Sequence, residues 1–85
     1  MSSTKEEIEV WIERAKEKGA THLVIVLDTL SYYDYPVYVM PEEKVQKVVT
    51  KYSNKRMQRI NEVYSLTGKH KVEDQLEEKR ARHLD

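Results

Sequence analysis

The segment THLVIVLD, residues 21–28, is a short run dominated by β-branched and other apolar residues, which predicts a β-strand. Side chains alternate between the two faces of a strand, so Leu23, Ile25 and Leu27 share one face and the valines share the other. Because both faces are apolar, we expect a central strand that is covered on both sides.

A second strand is predicted at residues 35–40, and the loop at residues 29–34 joins the two strands in an antiparallel hairpin. Pro36 has no amide donor, so it is tolerated near a strand start or at a sheet edge. A two-stranded sheet is marginal by itself. We therefore expect a homo-oligomer, most simply a dimer that extends the sheet or packs helices across it.

A helix is predicted before these strands, from about residue 4 to residue 18. Ser3 and Thr4 are each followed three residues later by a glutamate, so either can form a capping box. Gly19 stands where a left-handed residue often ends a helix. The expected buried face follows the i, i+3, i+4, i+7 pattern at Ile8, Trp11, Ile12 and Ala15.

Two more helices are predicted after the hairpin. The first begins at Pro41, and the second runs from residue 55 to residue 66 after a break at Ser53-Asn54. The break is inferred because the second apolar set is displaced by roughly 80° from the first on a continuous helix. The two sets are Val45, Val48, Val49 and Tyr52, and then Met57, Ile60, Val63 and Tyr64.

These elements predict an α+β fold in the order helix, strand, strand, helix, helix. A chain of 85 residues has material for one core, which we assign to a single domain at residues 1–68. Residues 69–85 are predicted to be a charged C-terminal helix or tail, a weak helix that gains order from a partner subunit.

The composition indicates a cytoplasmic protein. Cysteine is absent, so there is no disulfide framework or thiolate metal site. No apolar run approaches the ~20 residues of a membrane span, and the N-terminus lacks the apolar region of a signal peptide. We expect no membrane partner.

The charges balance overall, with 15 basic and 15 acidic residues, which argues against general nucleic-acid binding. They are unevenly distributed, however: residues 1–40 carry a net charge of −3, residues 41–71 carry +5, and the rest carry −2. This pattern indicates either complementarity within or between subunits, or a local anion site.

No motif indicates catalysis. Asp28 ends a strand, where phosphate-handling enzymes place a magnesium ligand, but no phosphate-cradling loop or Asp-x-Asp spacing accompanies it. The three histidines lack metal-ligand spacing, and Gly-x-Ser-x-Gly is absent. We therefore expect a protein that is not an enzyme, with no catalytic residue, no metal and no cofactor.

The stretch DTLSYYDYPVYVMP, residues 28–41, holds four of the six tyrosines in a chain without phenylalanine. Tyrosine rings are suited to the boundary between the core and the solvent, where one face of the ring packs and the hydroxyl is solvated or hydrogen-bonded. Two interpretations remain open: the rings cover the open edge and a dimer seam, or two or three of them form a stacking wall for a planar ligand or an anchor for a protein partner. The candidate ligand-binding residues here are Tyr32, Tyr33, Tyr35 and Tyr38.

The stretch SNKRMQR, residues 53–59, places Lys55, Arg56 and Arg59 in the first turns of the last predicted helix. Exposed amides at a helix start favour an anion, and Arg56 and Arg59 lie one turn apart, as in a phosphate clamp. The alternative is a solvated basic face. Together with the tyrosines, this site suits a nucleotide.

The segments GATHLVIVLDTLSYYDYPVYV, residues 19–39, and MQRINEVYSL, residues 57–66, resemble a family of short bacteriophage and prophage proteins. The resemblance covers about residues 11–66. It implies a phage origin and the cytoplasm of an infected bacterium, and it assigns no functional residue. Phage accessory proteins of this size inhibit a host defence protein or sequester a nucleotide signal, by analogy of class.

The leading hypothesis is therefore a small non-enzymatic phage accessory protein that binds an anionic, nucleotide-like ligand and sequesters a host defence signal. The alternative is a protein-binding inhibitor of a host defence protein, with the tyrosines as its anchors. A small enzyme is the third hypothesis.

Overall fold

A three-stranded antiparallel sheet, in the order β2-β1-β3, lies at the centre of the protein. The structure is a computed structural model that describes residues 4–78 and 80–84. It confirms the α+β class. The elements are α1 (Lys5–Lys18), β1 (His22–Asp28), β2 (Tyr33–Val39), α2 (Val45–Ser53), β3 (Gln58–Ser65) and α3 (Val72–Leu76).

The ends of α1 agree with the predicted caps. Thr4 is the N-cap, and its side-chain oxygen accepts a hydrogen bond from the backbone N–H of Glu7. Ser3, the other candidate cap, lies outside the described residues. Gly19 ends the helix with φ 77°, a left-handed conformation that glycine adopts without a steric penalty.

The predicted hairpin is present, with a shorter loop. β1 and β2 pair in a register that runs from His22 opposite Val39 to Asp28 opposite Tyr33. β2 therefore begins two residues before its predicted start. Pro36 lies opposite Ile25 in the edge strand, which confirms its predicted place, since proline offers no N–H to a further strand.

The predicted helix at residues 55–66 is wrong, because residues 58–65 form the third strand, β3. Within the apolar set that required a helical break, neighbouring residues now lie on opposite faces of the strand: Val63 lies opposite Val24, and Tyr64 lies opposite Leu23 on the other face. A register shift next to Val26 keeps the alternation in phase with β1. Pairing with β1 stabilises a conformation that the local pattern did not indicate.

Both faces of β1 are covered by helices of the same chain. On one face, Val24 and Val26 pack with Val45 and Val48 of α2; on the other, Leu23 and Ile25 pack with residues of α1. The predicted apolar face of α2 is confirmed, although the helix begins at Val45 rather than at Pro41. The doubly apolar strand thus needs no second subunit, which removes the sequence-based reason for a dimer. The oligomeric state itself stays a prediction.

The C-terminal segment covers the outer edge of β3. The weak helix predicted there is present as the five residues of α3, but it packs on its own chain rather than on a partner. Beyond α3, the N–H of Val63 donates to the carbonyl of Ala81, and the N–H of His83 donates to the carbonyl of Val63. The chain thus adds a short parallel bridge to its own sheet.

Gln75 completes this covering as a fully buried polar side chain. Its Oε1 accepts a 2.8 Å hydrogen bond from the N–H of Ser65, and its Nε2 donates to the carbonyls of Ser65 at 2.8 Å and His70 at 3.0 Å. The side-chain amide therefore pairs the backbone of β3 as a neighbouring strand would.

We expect Gln75→Ala to lower the free energy of unfolding by about 3 kcal/mol, because each buried backbone group left unpaired costs about 1–3 kcal/mol. Urea denaturation measures the loss. The matched control is Gln46→Ala, at an exposed position of α2, which should change the stability by less than about 0.5 kcal/mol. Equal effects of the two substitutions would show that Gln75 does not support the sheet edge.

Candidate functional site

A polar cavity of about 340 Å³ lies beside the outer edge of β3, next to the end of α2. Three elements build it: the last residue of α2, the first half of β3 and the C-terminal segment. Six of the described residues line it, and three of these are arginines. The lining consists of Ser53, Arg59, Ile60, Asn61, Arg80 and Arg82.

The local structure holds two of these polar side chains in place. The guanidinium of Arg82 donates from Nη2 to the carbonyl oxygen of Ile60 at 2.7 Å, so this side chain is tied to the strand that forms the cavity wall. Asn61 is held by the carboxylate of Asp34, to which its Nδ2 donates at 3.5 Å. Arg82 therefore presents its remaining donors from a restrained position.

The cavity is strongly cationic. Among residues 4–78 and 80–84, no carboxylate lines it, and none of its arginines forms an ion pair. Like charges gathered around one cavity repel each other, and an anion between them offsets that repulsion. A guanidinium donates through a planar fork that matches carboxylate and phosphate oxygens. The arrangement can therefore bind an anion with several oxygens.

Of the predicted basic residues, only Arg59 lines this cavity. Lys55 and Arg56 lie in the turn between α2 and β3, so the anion site at a helix start does not exist. Arg56 and Arg59 do not lie one helical turn apart either, because Arg59 is in a strand. Lys55 instead places its Nζ 4.5 Å from the ring centroid of Tyr52.

The predicted tyrosines do not form one wall. Tyr35 packs on the α2 side of the sheet, edge-on to Tyr52 with 6.5 Å between ring centroids, and burial raises its pKa. Tyr38 packs on the α1 side, where the Nζ of Lys18 lies 5.5 Å from its ring. Alternation along β2 separates these two rings, while Tyr32 and Tyr33 are exposed. None of the four lines the arginine cavity.

The sequence interpretation missed Arg80 and Arg82, which it left within a charged tail. The sequence carries one weak signal of their position: Arg80-Ala81-Arg82 alternates polar and apolar residues, as an edge strand does. Ala81 is buried, and both arginines line the cavity. The alternation is only three residues long, too short to distinguish from chance.

A second polar group lies at the covered edge of β3. The hydroxyl of Tyr64 donates to Oε2 of Glu62 at 2.8 Å, and Glu78 contacts Nε2 of His83 at 2.8 Å. The ring of His70 lies 4.9 Å from that of His83. These groups satisfy one another, and among the described residues no group of three or more histidines and acids could hold a metal ion. We therefore assign this group to stability.

Comparison with known proteins identifies no relative: no protein family matches the chain, and no curated protein or solved structure is significantly similar to it. Within the described part of the chain, no helix combines the length and the apolar character that crossing a bilayer requires.

The environment of Tyr64 determines how the stability of the fold responds to high pH. Burial, together with the hydrogen bond to Glu62, raises the pKa of Tyr64 far above its usual value of 10.0. Above pH 10 the unfolded chain therefore releases this proton while the folded chain keeps it, so stability falls as the pH rises.

We expect Tyr64→Phe to make this loss less steep by about 1.4 kcal/mol per pH unit, the contribution of one proton. Urea denaturation between pH 9 and pH 11.5 measures the slope. Tyr33→Phe removes an exposed hydroxyl and serves as the control, which should keep the wild-type slope. A slope that Tyr64→Phe leaves unchanged would contradict the assignment.

Proposed function

We propose that the protein binds a small anionic ligand that carries phosphate groups, of the nucleotide-like class, in the arginine cavity at the edge of β3. The observation that carries this proposal is the convergence of Arg59, Arg80 and Arg82 on one cavity to which the described residues contribute no carboxylate.

The size and lining of the cavity indicate which part of the ligand it takes. A volume of about 340 Å³ is near the lower end of small-molecule sites, which run from about 300 to 1,000 Å³. Among the lining residues that the structure describes, Ile60 is the one apolar residue, and none of them is aromatic. Affinity therefore comes from charged hydrogen bonds to phosphate oxygens, and a nucleobase would lie outside the cavity.

The lining also favours binding over chemical turnover. Its described residues offer arginines, one hydroxyl and one amide, but no histidine or carboxylate that could act as a general base. We infer that the ligand is held unchanged. In a phage accessory protein, such a site would sequester a host nucleotide signal, as the resemblance to phage proteins suggests.

The experiment is calorimetric titration with phosphate, pyrophosphate, ATP and a cyclic dinucleotide. Affinity should increase from phosphate to pyrophosphate, since more phosphate oxygens meet more guanidinium donors. Arg59→Gln and Arg80→Gln should each weaken binding about 10- to 100-fold, because hydrogen bonds to charged groups contribute about 1.5–3 kcal/mol. Arg14→Gln, at an exposed position of α1, is the matched control and should bind as the wild type does.

Thermal shift gives an independent measurement. A ligand present at 100 times its dissociation constant adds about 2.7 kcal/mol to the stability of the wild-type protein. The proposal fails if no ligand in the panel raises the melting temperature. It also fails if Arg14→Gln weakens binding as much as the cavity substitutions, since the effect would then be one of net charge.

A further inference from the structure

Four large apolar side chains at one end of the sheet expose more than half of their surface to solvent. The exposed fractions are 73% for Leu30, 64% for Tyr32, 71% for Tyr33 and 59% for Met57. We refer to these four residues as the apolar tip. Single exposed apolar residues are ordinary on protein surfaces, but a cluster indicates an interaction site.

The sheet itself brings the four residues together. Asp28, the last residue of β1, lies opposite Tyr33 on one side and opposite Gln58 on the other. The loop after β1 and the turn before β3 therefore meet at the same end. Their contact is direct, since the N–H of Thr29 donates to the carbonyl of Met57 at 2.8 Å.

The backbone of the apolar tip is restrained by hydrogen bonds. The Oδ1 of Asp28 accepts from the N–H of Leu30 at 2.9 Å, and the N–H of Tyr32 donates to the carbonyl of Asp28 at 2.7 Å. These bonds close a tight turn of the kind that aspartate favours. The exposed side chains are thus presented from a defined loop.

Two of the four residues adopt a conformation that is costly for their side chains. Tyr32 has φ 59° and Met57 has φ 61°, in the left-handed region that glycine and asparagine occupy more readily. A backbone held in this region costs free energy that the rest of the fold must offset. Such strain is found where a residue is held for binding.

Charge indicates the kind of partner. Arg56 is exposed in the turn that leads to Met57 and, among the described residues, forms no ion pair. The neighbouring Lys55 adds a second positive charge, although its Nζ lies 4.5 Å from the ring centroid of Tyr52. A surface that complements the apolar tip and these positive charges therefore has an apolar groove with carboxylates along its rim. Tyrosine and arginine are also residue types that dominate the binding energy of protein interfaces.

We propose that the apolar tip is a docking surface for a folded protein partner whose apolar groove is bordered by acidic residues. The fixed geometry of the loop suits a shaped protein groove, whereas a fluid bilayer would not require it. The surface is separate from the arginine cavity, because none of its residues lines that cavity.

The first test separates binding from stability. Tyr32→Asn replaces the side chain with one that tolerates a positive φ, so its melting temperature should equal or exceed that of the wild type. Calorimetric titration with pyrophosphate should give the same result for this variant as for the wild type. A melting temperature lowered by several degrees would show that Tyr32 supports the fold, and the proposal would be rejected.

The second test identifies the partner. A photo-crosslinking amino acid at position 33, in the protein expressed in its natural host, should capture one protein that the same amino acid at position 10 does not. Val10 is the matched control because it is 50% exposed on α1. The captured protein is then purified and titrated with each variant.

Tyr32→Asn and Met57→Asn should each weaken this binding at least 30-fold, and Arg56→Glu should weaken it at least 10-fold. Val10→Asn should have less than a threefold effect. Equal capture at positions 33 and 10, or variants that bind as the wild type does, would overturn the proposal. So would capture of a second copy of the chain alone, or tip-dependent binding to vesicles of phosphatidylcholine and phosphatidylserine.

Discussion

The central constraint in this protein is that β1 is apolar on both faces and must be shielded on both. A chain of 85 residues meets it by placing β1 between two strands and packing one helix on each side. Every other element derives its position from this arrangement. α1 covers Leu23 and Ile25, α2 covers Val24 and Val26, and the third strand is recruited because the open side of β1 needs a hydrogen-bonding partner.

The two edges of this small sheet are closed in different ways, and the arginine cavity results from this difference. The β2 edge carries Pro36, which withholds a donor from any added strand. The β3 edge is paired by Gln75 and the residues after α3. The same C-terminal segment that satisfies this backbone brings Arg80 and Arg82 beside Arg59. The C-terminal segment therefore both closes the β3 edge of the sheet and forms a wall of the cationic cavity.

The residues of the arginine cavity and of the apolar tip lie where local sequence patterns are weakest. α1, the hairpin and the buried face of α2 were predictable because each repeats a periodicity over several residues. β3 was predicted as a helix because its register shift beside Val26 disturbs a strict alternation. The tyrosines were predicted as one group from their spacing, but alternation along β2 and packing against Tyr52 and Lys18 place Tyr35 and Tyr38 on opposite sides.

The sequence by itself determined the α+β class, the caps of α1, the central strand and the place of Pro36 at an edge, since each depends on nearby residues. The tertiary structure alone decided that residues 58–65 pair as a strand and that Arg80 and Arg82 join Arg59. It also decided that Met57 lies beside the tyrosine loop. These features depend on backbone hydrogen bonds between segments far apart in the chain, and such pairing leaves no periodic signal in either segment alone.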